Sequence, residues 1–265
     1  MSRRSLRIHI ITEEDPFYLP VFFREFFAGV PRGRFVVTGV DLTPPLNQQT
    51  VVRLARKLYD FYGPIDFARI GFRYATVKGR DLLLPVGLWT GTISRVVARY
   101  GIPSSVVRNV NAPEYVDRLR ALDLDLLISV AASQIFKSEL LSVPRLDAIN
   151  VHTGPLPEYR GMFPVFWQMY DRQAEIGVTI HTMTAEIDFG EILLHRKVRL
   201  ERRWSLDSAI RELKRQGALA ALELLRGYDE GTVSRTPMNR SQAAYRTFPN
   251  RAHAATFRAM GNRLL

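Results

Sequence analysis

The chain has 265 residues, of which 46% are hydrophobic, 24% charged and 11% aromatic, and it contains no cysteine. This length suits one α/β domain with an appendage or two modest domains, and the composition is that of a globular rather than a disordered or fibrous protein. The absence of cysteine excludes a disulfide framework, a thiolate nucleophile and a zinc site built from cysteine.

The net charge is +11, from 37 Lys and Arg residues against 26 Asp and Glu residues. Residues 201–265 hold 12 basic and 6 acidic side chains, so the last quarter of the chain carries more than half of the excess. A basic surface can bind phosphates, nucleic acid or acidic lipid. Because 32 of the basic residues are arginines scattered along the chain, a general arginine bias is favoured over a nucleic-acid-binding tail.

The first half of the chain is predicted to alternate strands and helices. Leu6–Ile11 is a short β-branched apolar run typical of a strand, and the Phe-rich stretch Pro16–Phe27 has the pattern of an amphipathic helix. A strand is also predicted at Phe35–Val40, and helices at Thr50–Tyr62 and Val86–Tyr100. Residues 63–87 mix Gly, Pro and apolar clusters, so their pattern supports no assignment.

The second half continues the alternation with a clearer pattern. Asp125–Val130 is nearly continuously apolar, as buried parallel strands are. Ser205–Tyr228 has the pattern of a long amphipathic helix with Ser205 as its N-cap. The remaining predicted elements are helices at Ala112–Leu122 and Phe136–Leu141, and strands at Ala148–Val151, Ile176–Met183 and Glu191–Leu200. Strands alternating with helices predict an open α/β sheet with right-handed crossovers, followed by an irregular basic appendage at residues 229–265.

The sequence shows no signal for export or membrane insertion. The apolar stretch Ile8–Ile11 is too short for a signal-peptide core, and no stretch approaches the roughly 18 apolar residues of a membrane span. A cytoplasmic location and no membrane partner are therefore expected.

Two polar loops are candidates for chemistry, because functional groups in open α/β sheets collect where strands end. Asn150 and His152 lie two residues apart at the end of a predicted strand, so their side chains point to the same side. Asp188 lies in the turn between the next two strands. An amide that holds an oxyanion, an imidazole that moves a proton and a carboxylate that orients it would suit acyl transfer.

Other interpretations of these residues remain open. An Asn-x-His pair at a strand end also serves to cap a turn, and His181 within a strand is expected to be a core or interface histidine. His152, His181 and Asp188 could form a metal triad, but no histidine pair has the helical i, i+4 spacing of ligands, so no metal is expected.

The stretches INVHTGPLPEYRGMFPVFW and GVTIHTMTAEIDFGEIL, within Asp125–Leu200, resemble the catalytic domain of the N10-formyltetrahydrofolate-dependent formyltransferases. That family has the pattern Asn-x-His-x-Ser-Leu-Leu-Pro, then Gly-Val-Thr-x-His and Asp-x-Gly. Asn150, His152 and Asp188 fall on its three catalytic positions. The resemblance implies an enzyme with a Rossmann-like open sheet of the formyltransferase type, with a catalytic domain at 1–203 and a short helical or irregular C-terminal extension at 204–265.

The resemblance also implies a mechanism. An acceptor amine attacks the formyl carbon of N10-formyltetrahydrofolate, the co-substrate, and Asn150 and protonated His152 stabilise the tetrahedral oxyanion. Asp188 keeps His152 charged and helps to move the proton from the amine to the leaving N10 through a water. By the same resemblance, the residues expected at the folate are Ser129, Ala132, Ser133, Gln134, Phe136 and Glu186, and those expected at the acceptor are Thr12, Arg160 and Gly161.

Two departures from the family pattern bear on the acceptor. Gly154-Pro155 replaces the usual Ser-Leu after the catalytic histidine, which is expected to reshape the loop near the folate. The turn that is glycine-rich in the purine-pathway branch reads Thr12-Glu13-Glu14-Asp15-Pro16 here. Its three carboxylates repel phosphate, so glycinamide ribonucleotide is not expected as the acceptor.

A small phosphorylated amine is the expected acceptor, most of all an amino sugar linked to a nucleotide. The tRNA-directed branch carries a C-terminal β-barrel, whereas 65 residues follow Leu200 here and the first third of them is predicted to be helical. Arg160 and the C-terminal arginines would then bind diphosphate. Methionyl-tRNA, other amines, hydrolysis of the formylfolate and a non-catalytic binding protein are the alternatives, and a homodimer is left open.

Overall fold

The computed structural model describes residues 4–31, 33–44, 48–85 and 91–265. The strands are β1 (Leu6–Glu13), β2 (Phe35–Thr43), β3 (Ser104–Val106), β4 (Leu126–Val130), β5 (Asp147–His152), β6 (Arg160–Gly161), β7 (Glu175–Thr182), β8 (Ile192–Arg199) and β9 (Tyr245–Arg246). The helices are α1 (Leu19–Gly29), α2 (Gln48–Leu83), α3 (Ile93–Arg99), α4 (Pro113–Arg120), α5 (Ser138–Leu141), α6 (Pro164–Tyr170), α7 (Leu206–Glu230) and α8 (Arg251–Ala259).

Seven strands form one mixed sheet in the order β3-β2-β1-β4-β5-β7-β8. The first five strands in this order, from β3 to β5, are parallel to one another. Strand β7 is antiparallel to β5, and β8 is antiparallel to β7. The central strands β1 and β4 are apolar runs because both of their faces are covered by helices or loops. The predicted Rossmann-like α/β sheet is confirmed, and the predicted strands match the observed ones to within three residues at each end.

The helices α1 and α7 lie side by side on one face of the sheet. Phe22, Phe23 and Phe26 of α1 are fully buried in the main apolar cluster, which α7 completes with its own apolar stripe. Ser205 is the N-cap of α7, as predicted, and its Oγ accepts a hydrogen bond from Ser208 N at 3.3 Å. Tyr18 Oη, at the start of α1, donates to Asp207 Oδ1 at 3.0 Å, so the two helices begin at the same edge of the sheet.

The opposite face of the sheet is covered by α4 and the loops around it. Tyr115 and Leu119 of α4 pack there against Ile11 and Leu127 of the central strands in a second, smaller apolar cluster. The site residues described below lie between these two layers, at the edge where the parallel strands end.

Helix α2 contains the helix predicted at Thr50–Tyr62 and continues through residues 63–83, whose pattern supports no assignment. The helical dihedral angles break at Gly63 (φ 72°), just before Pro64, and the chain then continues as helix to Leu83. This second half has large apolar side chains exposed to solvent, including Ile65 and Phe72, and therefore lacks the amphipathic period that sequence reading depends on. Of the predicted helix Val86–Tyr100, residues 86–90 lie outside the described residues, and α3 begins at Ile93.

The segment 229–265 was predicted to be an irregular appendage, and this is corrected for much of it. Strand β9 pairs in parallel with β6, and α8 packs Phe257, which is fully buried, against Phe166 with ring centroids 4.9 Å apart. Helix α8 has only about one apolar residue per turn, which is too weak a pattern to predict that it packs against the sheet domain. The division of the chain at residues 203 and 204 stays a prediction. None of the described helices is long and apolar enough to cross a bilayer.

Candidate active site

The catalytic residues expected from the sequence meet at the end of β5. Asn150 and His152 project from the same face of this strand, and the side chain of His152 is only 7% exposed. Asp188 lies in the loop between β7 and β8, with its Oδ1 3.6 Å from His152 Nδ1 and 3.5 Å from Asn150 Nδ2. The structure therefore brings Asn150, His152 and Asp188 together, although His152 and Asp188 are 36 positions apart in the sequence.

The loop that carries Asp188 is held in an unusual conformation. Asp188 has a φ of 48°, in the left-handed region, and its Oδ2 accepts a hydrogen bond from Gly161 N at 2.8 Å. Gly190 closes the loop against β7, because a Cβ atom at this position would overlap the carbonyl oxygen of Thr182. The carboxylate is thus aimed at the end of β5 by backbone contacts on both sides of the loop.

The position of the ring hydrogen on His152 follows from its hydrogen-bond partner. Its Nε2 lies 2.7 Å from the carbonyl oxygen of Tyr159, which can only accept, so Nε2 carries a hydrogen and donates. Nδ1 then faces the carboxylate of Asp188. A second proton on Nδ1 makes the ring an imidazolium paired with that carboxylate, which is the charged form that stabilises an oxyanion.

His181, expected to be a core histidine, is buried but belongs to the site. It stands opposite Asn150 in the antiparallel pairing of β5 with β7. Its Nδ1 donates to Thr182 O at 2.8 Å, so its Nε2 is an acceptor, and Asn150 Nδ2 donates to it at 3.2 Å. Burial, followed by the charge of His152, lowers the pKa of His181 to about 4. His181 is therefore neutral near pH 7 and orients the amide of Asn150.

Replacing His181 with alanine is expected to lower kcat by about 10-fold to 100-fold, because the amide of Asn150 loses the acceptor that orients it. The Michaelis constant for the folate co-substrate that the resemblance implies is expected to change little, since the effect falls on the geometry of the transition state. Steady-state kinetics of the purified variant measure both constants. Replacing His195, which hydrogen-bonds Thr179 on the next strand, is the control; an equal fall in kcat there would contradict a specific positioning role for His181.

Arg160 and Gly161, predicted to contact the acceptor, support the loop of Asp188. The guanidinium of Arg160 donates to Glu186 Oε1 at 2.8 Å and to Ile187 O at 2.6 Å, and it stacks on the ring of Phe189. Gly161 has a φ of 93°, and a side chain there would overlap the carbonyl oxygen of Arg246 in β9. Arg240, which sequence reasoning missed, binds Glu186 from the other side at 3.1 Å.

The residues predicted at the folate lie along the end of β4 and the loop after it. Ser129 is buried beside Asn150, as its partner in the pairing of β4 with β5, and Ala132 lies at the rim of the second apolar cluster. Ser133 Oγ donates to Thr43 Oγ1 at 3.0 Å, Gln134 bonds the backbone of Arg108 and Val110, and Phe136 is buried in that second cluster.

The side chains of Gln134 and Phe136 thus make their contacts within the protein. The same holds for Thr12, which was predicted to contact the acceptor. Thr12 is fully buried and donates to Val130 O at 2.7 Å. Glu186 is taken by Arg160 and Arg240. A contact from these residues to folate or acceptor stays a prediction, and it would be made through backbone atoms at most of them.

A second group of charges lies beside the site, at the end of β1. Burial, and then the negative charge of Asp15, raise the pKa of Glu13 to about 7, while Lys214 of α7 acts in the opposite direction. Burial also lowers the pKa of Lys214. Asp15 caps the start of α1 by accepting hydrogen bonds from three backbone N–H groups, those of Phe17, Tyr18 and Leu19.

The raised pKa of Glu13 makes stability depend on pH in a defined window. The native state holds the proton up to about pH 7, whereas the unfolded chain releases it near pH 4.5, so stability falls as pH rises between these values. Glu13→Gln is expected to be more stable than wild type at pH 8, on the order of 2 kcal/mol, and nearly equal to it at pH 4. Urea unfolding at both pH values measures this difference. Glu139→Gln is the control, because local hydrogen bonds lower the pKa of that carboxyl, and a gain at pH 8 in both variants would contradict the prediction.

A family model described as formyl transferase matches residues 93–223, a stretch that includes Asn150, His152, His181 and Asp188. The chain is 31% identical over 153 residues to the methionyl-tRNA formyltransferase of Staphylococcus aureus (strain JH1), covering 58% of this chain and 49% of that protein. The chain therefore spans about half the length of the curated relatives it matches.

Solved structures of low sequence identity share the fold. The phosphoribosylglycinamide formyltransferase of Anaplasma phagocytophilum is 14% identical and superposes with a TM-score of 0.60, covering 92% of this chain and 99% of that one. WlaRD, a sugar 3N-formyl transferase solved in the presence of dTDP and 5-N-formyl-THF, is 13% identical with a TM-score of 0.56, covering 92% of this chain and 70% of that one.

Proposed function

Because this chain belongs to the formyltransferase family through the domain at residues 93–223, we propose that it transfers a formyl group from N10-formyltetrahydrofolate to the primary amine of a small acceptor. The observation that carries the proposal is the meeting of Asn150 and His152 at one carboxylate oxygen of Asp188, at 3.5 Å and 3.6 Å. The catalytic domain would occupy residues 1–203, with α7 and the C-terminal segment bound to it.

The proposed reaction forms one C–N bond and breaks another. The neutral amine attacks the formyl carbon, and the carbonyl oxygen becomes an oxyanion. The His152 imidazolium stabilises it by its positive charge, and the Asn150 amide stabilises it by turning toward it the N–H that rests 3.5 Å from Asp188 Oδ1. Collapse of this intermediate breaks the bond from carbon to N10. The proton lost by the amine passes to N10 through a water near the carboxylate of Asp188, so that no charge accumulates.

The contacts of Asp188 support this division of roles. Its Oδ2 is engaged with Gly161 N, which leaves Oδ1 to face both His152 and Asn150. One carboxylate oxygen thus pairs with the imidazolium, whose Nε2 is fixed by the Tyr159 carbonyl. Because Tyr159 and Asp188 hold the two ring nitrogens of His152, the imidazolium needs little reorganisation when the oxyanion develops.

An amino sugar linked to a nucleotide is the acceptor that we favour. Glu13, Glu14 and Asp15 stand where a glycine-rich loop would hold a ribonucleotide phosphate, and Asp15 already occupies the N–H groups at the start of α1. This disfavours glycinamide ribonucleotide. The second candidate acceptor is methionyl-tRNA, which the 31% identity to a methionyl-tRNA formyltransferase favours.

Release of tetrahydrofolate from N10-formyltetrahydrofolate tests the proposal, measured with and without candidate amines. We expect release to require a nucleotide-linked amino sugar, and mass spectrometry of the product to show a gain of one formyl group. Production of formyl-methionyl-tRNA, with salt-sensitive retention of the tRNA, would select the second candidate instead. Release that no amine accelerates would contradict transfer to an amine and leave hydrolysis of the formylfolate as the reaction.

A further inference from the structure

A pocket of about 310 Å³ lies between the start of α1, the second half of α2 and the first turns of α7. Its walls include Pro16, Phe17, Arg24, Arg73 and Arg211, which come from all three helices and the loop before α1. Among the described residues, its lining includes three guanidinium groups and no carboxylate. We call it the arginine pocket, after Arg24, Arg73 and Arg211.

Two of these arginines share one carboxylate, that of Asp207. Asp207 accepts from Arg73 Nη1 at 2.8 Å and from Arg211 Nε at 2.9 Å, so one negative charge pairs with two positive ones. The Nη2 atom of Arg73 is buried and has no hydrogen-bond partner within the described part of the chain. A buried guanidinium donor of this kind needs an acceptor.

The aromatic wall of the pocket holds Arg73 in place. The guanidinium carbon lies 4.7 Å from the centre of the Phe17 ring, and the same group is fixed by Asp207. A planar guanidinium held on two sides presents its remaining donors in a fixed direction, which suits the oxygens of a phosphoryl group.

The pocket and the catalytic residues lie at the same edge of the sheet. Gly217 of α7 packs against Val151, since a Cβ at Gly217 would be 3.1 Å from Val151 Cγ1. Val151 lies between Asn150 and His152 on β5 and points to the opposite face of that strand, so α7 and the pocket lie across the end of β5 from the catalytic side chains. A ligand that joins the pocket to Asn150 and His152 would therefore pass around the end of β5.

We propose that the arginine pocket binds the phosphoryl group of the amine that accepts the formyl group. The acidic loop at residues 13–15 offers no nest of free N–H groups, and the arginines of three helices supply the positive charge that this loop lacks. The assignment of the phosphoryl group to the acceptor rests on the proposed function, whereas the binding of the anion rests on the pocket alone.

Calorimetric titration with inorganic pyrophosphate tests the pocket without any turnover. We expect saturable binding to the wild-type chain and at least 10-fold weaker binding to Arg73→Gln/Arg211→Gln. Arg24→Gln removes the third guanidinium group that lines the pocket and is expected to weaken binding as well. Arg69→Gln is the matched control, because Arg69 is on the same helix, is 68% exposed and pairs with Asp66. Thermal unfolding of each variant verifies that it is folded.

Two results would overturn the proposal that the arginine pocket binds an anion. One is an absence of saturable pyrophosphate binding to the wild type, and the other is an equal loss in Arg69→Gln, which would indicate general attraction to a basic surface. Where formyl transfer to an amine is observed, pyrophosphate is expected to compete with that amine. Competition with tetrahydrofolate would assign the pocket to the folate and overturn its assignment to the acceptor.

The proposed function and the arginine pocket fail in different ways. Lost pyrophosphate binding with intact formyl transfer contradicts only the pocket. Absence of formyl transfer to every amine, with pyrophosphate bound, contradicts the proposed function and with it the acceptor as the source of the phosphoryl group.

Discussion

Replacing His152 with alanine is expected to lower kcat/KM for formyl transfer by about 1,000-fold or more. The imidazolium supplies positive charge next to the developing oxyanion, and oxyanion donors of this kind are worth about 10²–10³ in rate. Loss of the proton relay with Asp188 adds to this, because general acid–base groups contribute about 10²–10⁴. Tetrahydrofolate release, followed under single-turnover conditions, separates this loss from any change in binding.

Asp188→Asn provides an independent test of the same mechanism. The asparagine keeps the shape of the side chain but removes the charge that pairs with His152 Nδ1, so the rate is expected to fall while the bond from Gly161 N is retained. His253→Ala is the matched control, since His253 caps α8 on another part of the surface. An unchanged rate in His152→Ala, or an equal fall in His253→Ala, would remove the proposed mechanism.

Much of the fold could be predicted because its elements have strong local patterns. The central strand β4 is a nearly continuous apolar run, and α7 has both a serine cap and a regular apolar stripe. The second half of α2 could not be predicted, since Gly63-Pro64 reads as a break and the apolar residues beyond it face solvent. Helix α8 was missed because its attachment depends on Phe257 finding a place beside Phe166, which is distant in sequence.

The candidate site shows the same division between local pattern and distant pairing. The positions of Asn150, His152 and Asp188 could be predicted from motif spacing and resemblance. The part played by His181 depends on the register of β5 with β7, which places it opposite Asn150. The Gly-Val-Thr-x-His motif that ends at His181 was the available signal for a place in the site. A single histidine within a strand is, however, also compatible with a core position. Arg73 reaches Asp207, which Arg211 already contacts on α7, only after α2 has packed beside α7.

The carboxylate of Asp41 is expected to contribute more to stability than the other acidic side chains considered above. Asp41 lies on β2 and is 3% exposed. It accepts hydrogen bonds from His9 Nε2 at 2.9 Å, Ser105 Oγ at 2.6 Å, Tyr115 Oη at 2.9 Å and Arg118 Nη2 at 2.7 Å. Burial alone would raise the pKa of Asp41, but these hydrogen bonds and the His9 charge outweigh it, so the pKa is lowered. The carboxylate thus joins β1, β2, β3 and α4.

Asp41→Ala is expected to lower the free energy of unfolding by about 3–5 kcal/mol, because it leaves several buried donors unpaired. Urea unfolding at pH 7 measures the loss. Since the native pKa is lowered, the part of the Asp41 contribution that depends on its charge is complete above pH 4 and is lost as pH falls through the native pKa, so the difference between wild type and variant should narrow in acid. Asp117→Ala, which removes a 69%-exposed carboxylate paired with Arg120 on α4, should cost less than about 1 kcal/mol. Equal losses in the two variants, or a constant difference down to strong acid, would show that the buried hydrogen bonds of Asp41 do not hold these elements together.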